Sequence, residues 1–332
     1  MLVAVGEEEV ASTHFEQVVA VPEVREALAK SIGVFIPSAA QSKDGSANIT
    51  LGAKGAVEFQ LVVGGETSDK YPKTDIHSSN HARIENPAWR LVKALDTLVA
   101  DDGHTPAIDG WFENVLPLTE RKKQLTAEGA KLNPEEQEKA LLGVGQWIDN
   151  EPYVTSLERF YSQPTVNIQG LIAGYTGPGG KTVLPGRAQA KLEFRLVPAM
   201  TKDEAVTKLT AHLAKRGFDD VQVTVSGGYG PNETDEDSIL VKAQKRLFEQ
   251  NGIPYSIRPR NAGSWPGVIF NGPPLNLPAS QFGLARGGGA HAPNEWFLIE
   301  SEDPKVNGLN EAVMAFVDYL YVIAEEAEKQ PE

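Results

Sequence analysis

The chain has 332 residues, with 31 Lys and Arg against 45 Asp and Glu for a formal net charge of -14, and no cysteine. No basic cluster is available to neutralise phosphates, which excludes a nucleic-acid partner, and the lack of thiols excludes disulfides, a thiolate zinc site and a cysteine nucleophile. The apolar fraction of 41% and charged fraction of 23% suit an ordinary globular chain of two domains, and with no signal peptide and no bilayer-length apolar run a cytoplasmic protein without a membrane partner is expected.

In chain order, Leu2-Val3-Ala4-Val5 reads as a short buried strand that runs into Gly6 and three adjacent carboxylates, Glu7, Glu8 and Glu9. Open α/β sheets place ligands at the carboxyl ends of such strands. The other reading is a solvated acidic helix start, favoured by the helix dipole. A chain that opens inside a strand, without cap or linker, points to a missing upstream portion. His14 to Lys30 is expected to be helical with an interruption at Pro22, Ile32 to Ile36 a strand, and Pro37 to Ala47 a polar loop. Ile49 to Val63 reads as a strand, alternating through Val57, Phe59, Leu61 and Val63 before Gly64-Gly65.

A polar loop from Glu66 to Glu85 carries Asp75-Ile76-His77-Ser78-Ser79. Asn86-Pro87 opens a helix, since Asn is a good cap and Pro suits the first helical position. Trp89, Val92, Leu95 and Val99 are its expected buried face. Residues 100–163 are charged and mostly helical or looped. Thr165 to Ile172 and Thr182 to Val197 read as strands about the turn Thr176-Gly177-Pro178-Gly179-Gly180. Thr201 and Glu204 form a capping box for a helix that ends at Arg216 before Gly217, and Val221 to Val225 is a further strand. Residues 54–228 thus read strand, helix, strand, strand, helix, strand. That is the order of a ferredoxin-like α+β sandwich, inserted into an α/β domain made of residues 1–53 and 229–332.

In the last third, Ser238 to Asn251 is expected to be helical, and Tyr255 to Arg258 and Val268 to Phe270 strands. Asn271 to Pro293 is a Gly/Pro-rich loop region. Asn307 to Ala327 is an amphipathic helix expected to bury Val313, Phe316, Val317, Leu320 and Ile323.

Chemistry-bearing residues sit in the loops. His291 stands in Gly287-Gly288-Gly289-Ala290-His291-Ala292-Pro293-Asn294-Glu295, where glycines let backbone approach a ligand. A histidine there either points into a cleft or bonds local backbone, and His77 carries the same two readings. Ser264, in Arg260-Asn261-Ala262-Gly263-Ser264-Trp265-Pro266, either presents its hydroxyl or is an ordinary turn serine. His212 lies on a helix where solvent exposure is expected. No Gly-x-Ser-x-Gly elbow, P-loop, His-Glu-x-x-His or dinucleotide fingerprint occurs.

In shared order and spacing these pieces resemble the dinuclear-zinc metallopeptidases that include carnosinase-like and cytosolic non-specific dipeptidases, acetylornithine deacetylase, succinyl-diaminopimelate desuccinylase and aminoacylase. The matching pieces are Gly6 to Ser12, Ile49 to Gly55, Asp75-Ile76-His77-Ser78, Asn86-Pro87-Ala88-Trp89, Lys181 to Pro185, Phe194 to Pro198, Arg260 to Pro266, and His291 with Asn294-Glu295. The resemblance implies a zinc-peptidase-like (phosphorylase/hydrolase-like) α/β catalytic domain with an inserted ferredoxin-like lid and dimerisation domain. It implies hydrolysis of dipeptides or N-acyl amino acids by a homodimer, with two zinc ions (manganese or cobalt as alternatives) activating a bridging water. By the same resemblance Glu8 is the general base, and Glu9 and His291 are metal ligands. His77 would stabilise the oxyanion in the partner subunit's site, and Arg195, helped by Ser264 and Thr182, would bind the substrate carboxylate.

The chain also departs from that family. No His-x-Asp occurs in it, and the family's next Asp ligand falls near Ser38 in Pro37-Ser38-Ala39-Ala40. Asp44, several residues later, is the single carboxylate of that loop. Ser79 stands where a Gly is expected, and Ala82-Arg83 where a Gly pair is. The expectation is therefore an N-terminally incomplete catalytic domain whose metal site is short of ligands. The alternative is a non-catalytic homologue that dimerises or binds peptides.

Overall fold

The computed structural model describes residues 1–4, 6, 12, 14–290 and 293–329. In chain order its elements are α1 (Phe15–Ala20), α2 (Pro22–Ala29), β1 (Val34–Pro37), β2 (Ala47–Thr50), β3 (Gly52–Ala53), β4 (Gly55–Gly64) and β5 (Ile76–His77). Next come α3 (Pro87–Asp96), α4 (Glu120–Leu132), α5 (Glu135–Leu142), α6 (Tyr153–Ser162), β6 (Thr165–Ala173), β7 (Val183–Leu184) and β8 (Arg187–Leu196). They are followed by α7 (Lys202–Lys215), β9 (Gln222–Tyr229), β10 (Asn232–Glu233), α8 (Ile239–Gln250) and β11 (Tyr255–Arg258). The last are α9 (Val268–Asn271), β12 (Ala279–Phe282), β13 (Gly287–Gly288), β14 (Trp296–Phe297) and α10 (Leu309–Glu328). Leu2, Val3 and Ala4 form no strand, and Val5 lies outside the described residues. The stretch expected as one strand from Ile49 to Val63 is broken into β2, β3 and β4, and Val268 to Phe270 is helical rather than extended.

The chain divides into two compact units, Met1–Lys54 with Pro117–Ser162 and Pro231–Glu332, and Gly55–Leu116 with Gln163–Gly230. Residues 117–162, read from the sequence as part of the inserted segment, group with the first unit.

In the first unit β1 runs parallel to β12, and β2 runs parallel to β11. Parallel pairs need covered faces, and α8 and α10 supply one cover. Ile49, Leu240, Leu247, Phe248, Phe282 and Tyr319 share their core. The buried stripe of α10 is Ala312, Ala315, Tyr319, Val322 and Ile323, whereas Val313, Val317 and Leu320 are exposed. Of the expected face, Ile323 is buried and Phe316 packs partly buried against the core, while the other three point out, because this helix is apolar around most of its circumference and periodicity offers two stripes. Small alanines let α8 approach closely, and Tyr319 completes the choice by donating its hydroxyl to the Leu240 carbonyl at 3.0 Å.

The second unit is a four-stranded antiparallel sheet in the order β6-β8-β4-β9. Strict alternation puts Val57, Phe59, Leu61 and Val63 of β4, and Ala188, Ala190, Leu192, Phe194 and Leu196 of β8, on one face. Leu91, Ala94 and Leu95 of α3 and Leu209 and Leu213 of α7 complete that core. Trp89 and Val92, expected inside, are exposed. Asn86 does cap α3, its side chain accepting from the Ala88 N–H.

His212 is buried, contrary to expectation. Its Nδ1 accepts from the Asp109 N–H at 3.1 Å, and its Nε2 stands 3.1 Å from the Thr97 hydroxyl. A neutral imidazole satisfies both contacts. Burial, reinforced by the nearby Arg216, pushes its pKa below the ordinary 6.5. The unfolded chain therefore takes up the proton first as pH falls, so this group's contribution is present above about pH 6.5 and is lost below it. Denaturation midpoints between pH 7 and 5 are expected to fall more steeply for the native chain than for His212→Gln, by up to about 1.4 kcal/mol per pH unit. Equal slopes would contradict the assignment.

Candidate functional site

The first unit offers its chemistry in the loops that follow β1 and β11. Where β1 ends, the Ser38 N–H donates to the Phe282 carbonyl at 2.9 Å. The next residue of that neighbouring strand is Gly283, where a Cβ would stand 1.7 Å from the Ser38 carbonyl oxygen. Ser38 is thus clamped by a backbone contact only glycine permits, with its own hydroxyl buried and unpartnered among the described residues.

After β11, the Asn261 N–H donates to the Gly52 carbonyl at 2.7 Å, and the Lys54 N–H donates back to the Asn261 carbonyl at 2.9 Å. Trp265 then inserts into a core with Phe15, Val19 and Phe270, the Phe15 and Phe270 rings meeting edge to face at 5.9 Å. That anchor fixes Ser264, whose hydroxyl is also buried without a partner among the described residues. An unpaired buried hydroxyl costs about 1–3 kcal/mol, and such groups are commonly a ligand's contacts. Helix α1, which follows the acidic stretch in sequence, packs into the same core as Trp265. Glu8, Glu9 and His291 themselves lie outside the described residues. Asp44 is committed to its own turn: its carboxylate accepts from the Ser46 hydroxyl at 2.7 Å and the Ser46 N–H at 3.0 Å, which hold its pKa below the ordinary carboxylate value. Among the described residues no three His, Asp or Glu side chains converge in a group that could hold a metal ion.

The second unit carries His77, Thr182 and Arg195. Strand β5 pairs with β7, so His77 faces Val183, and the Ser78 N–H donates to the Thr182 carbonyl at 3.2 Å. His77 and Thr182 are therefore neighbours, and both are exposed. The Ser79 N–H donates to His77 Nδ1 at 3.2 Å, and the Ser79 hydroxyl lies 2.8 Å from the same nitrogen. With Nδ1 occupied as an acceptor, the neutral ring carries its proton on Nε2, ready to donate outward. Ser79, noted from sequence merely as a departure, is the residue that orients His77. Arg195 projects from the other face of β8 than the core and pairs with Glu193 two residues earlier. That partner was legible, because residues i and i+2 share a strand face. The connection carrying Thr182 enters β8 at Arg187, and Arg195 stands eight residues further along, roughly 27 Å at strand rise. This unit brings His77 and Thr182 together and sets Arg195 at the far end of the same strand.

Residues 51–221 match the family described as the peptidase dimerisation domain of M20 peptidases. A Beta-Ala-His dipeptidase of Rattus norvegicus is 34% identical over 167 residues, which is 50% of this chain and 32% of that protein. A Cys-Gly metallodipeptidase, DUG1, of Candida albicans is 26% identical over 256 residues, 74% of this chain and 50% of that protein. The chain thus spans at most half the length of these two relatives. Among solved structures, an M20 family metallo-carboxypeptidase from Sulfolobus solfataricus superposes with a TM-score of 0.76 at 29% identity, covering 94% of this chain and 73% of that one. The di-peptidase Dug1p from Saccharomyces cerevisiae shares the fold, with a TM-score of 0.72 at 21% identity over 98% and 65% of the two chains.

Proposed function

Because the chain belongs to the M20 peptidase family through its dimerisation domain, we propose that it binds dipeptides or N-acyl amino acids by their terminal carboxylate, as part of a homodimeric peptide-bond hydrolase. The reading is supported by the strand order: His77 pairs beside Val183 ahead of β8, while Arg195 lies next to the last residue of β8. A dipeptide is about 7 Å long, so one copy of the second unit cannot set His77 and Arg195 on the same substrate. Two copies can, each lending its His77 to the other's Arg195.

In this reading Arg195 grips the carboxylate, exchanging part of its pairing with Glu193 for a charge-assisted bond to the substrate. The unpartnered Ser264 hydroxyl and Thr182 assist, and His77 Nε2–H donates to the carbonyl oxygen as it gains charge. Glu8 would serve as base, and Glu9 and His291 as ligands of a zinc centre that polarises the scissile carbonyl. The residues present do not make up such a centre. The sequence has no His-x-Asp, and by the family resemblance a carboxylate ligand would fall near Ser38, so no hydrolytic step is derived from this chain's own donors. Ser38 favours a second reading, a homologue that keeps peptide binding and dimerisation without catalysis.

Both readings keep the carboxylate grip. Calorimetry with alanyl-glycine and with its C-terminal amide is expected to show at least about tenfold tighter binding of the free acid, a difference of about 1.4 kcal/mol. In Arg195→Met that gap is expected to close. Equal affinity for acid and amide in the native chain would overturn the proposal.

A further inference from the structure

A cavity lined by neither Ser38 nor Ser264 lies wholly within the first unit, between β11 and the helices α4 and α6. Its volume is about 390 Å³, within the range of roughly 300–1,000 Å³ usual for small-molecule sites. Two guanidiniums line it, Arg258 and Arg260, together with the rings of Tyr153, Phe160 and Tyr161.

The cations are short of partners. Arg260 is buried, with its side chain only 4% exposed. It donates to the Tyr161 carbonyl and, at 2.8 Å, to Glu233, yet its Nε–H has no acceptor among the described residues. Glu233 is shared, since Lys122 also reaches it, at 2.6 Å. Arg258 makes one long bond, 3.4 Å to the Asn133 side chain. The one carboxylate among the lining residues, Glu138, does not balance the two arginines. A cationic recess in a chain of net charge -14 calls for an anion, and an unsatisfied buried N–H calls for an acceptor.

We infer that this cavity is a binding site for a small organic carboxylate with an aromatic body. The planar guanidinium fork matches a carboxylate in two-point geometry, and the aromatic and leucine walls take an apolar ring. A bare inorganic anion would satisfy the arginines and leave the rings uncovered. None of the lining residues is given a part in the proposed peptide binding, and the inference does not rest on that reading.

The test uses the full chain and 3-phenylpropionate as the probe, followed by calorimetry. Expected is saturable binding at least tenfold tighter than for 3-phenylpropanamide, acetate or inorganic phosphate. Arg258→Gln is expected to lose at least tenfold in affinity for the acid while alanyl-glycine binding is unchanged. Leu157→Trp, which fills the cavity from its wall, is expected to abolish probe binding. The acid–amide comparison needs no variant and so stands even if a variant fails to fold. Equal binding of acid and amide, phosphate matching the probe, or binding unmoved by both substitutions would overturn the inference.

Discussion

Replacing Gly283 with alanine is expected to destabilise the first unit by about 3 kcal/mol or more, at the top of the usual range for overpacking. The new methyl would fall 1.7 Å from the Ser38 carbonyl oxygen. The obstacle is backbone, which cannot rotate aside as a side chain can. Relief requires the ends of β1 and β12 to part by more than an ångström, which breaks the bond from the Ser38 N–H to Phe282 and opens the core beneath it. Gly129→Ala in α4 is the internal control. Nothing lies within 4 Å of its would-be Cβ, so there the exchange is expected to stabilise by roughly 0.5–1 kcal/mol through helix propensity. Urea denaturation of both variants against the native chain checks the pair, and a Gly283→Ala midpoint within error of the native one would show that the strand ends are not clamped as described.

How far residue patterns reach in this chain depends on how many faces each element offers. Strands β4 and β8 alternate cleanly, so the sheet face carrying Val57, Phe59, Leu192 and Phe194 was readable from a period of two. The caps of α3 and α7 were readable for a similar reason, since Asn86 and Thr201 satisfy specific backbone N–H groups. The buried faces of α3 and α10 were not. Both helices carry large apolar residues on more than one side, and only the neighbours decide which side is covered. Trp89 and Val317 are the visible cost of that ambiguity. His212 went wrong for a different reason: its partners, the Asp109 N–H and the Thr97 hydroxyl, are more than a hundred residues away in sequence.

The candidate site divides in the same way. Ser264 was legible as a loop residue, whereas Ile76 and His77, also read as loop, form the short strand β5. The orienting contact from Ser79 was not legible, because a serine in place of glycine reads from sequence only as a mismatch. The exclusion of Asp44 also needed coordinates, since its capture by Ser46 is a matter of geometry. Ser38, near which the resemblance places an Asp ligand, has a hydroxyl buried without a partner among the described residues. A neutral alcohol supplies neither the charge nor the basicity of a carboxylate ligand.

The shortage of ligands carries the second large expected effect. A catalytic zinc ion normally takes three protein ligands and a water, and closed four-ligand structural sites bind zinc with apparent free energies of about 10–16 kcal/mol. Under the proposed roles Glu9 and His291 are the ligands from the family's set, and no His-x-Asp occurs in this sequence to add to them. Two ligands shared between two ions leave each far below a closed coordination shell. A calorimetric titration of the purified chain with zinc, run alongside an assay for alanyl-glycine hydrolysis, tests this ligand deficit most directly. No site tighter than about 1 µM, equivalent to roughly 8 kcal/mol, and no turnover are expected, with the dipeptide still bound through its carboxylate. Two tight zinc sites accompanied by dipeptide turnover would contradict that expectation.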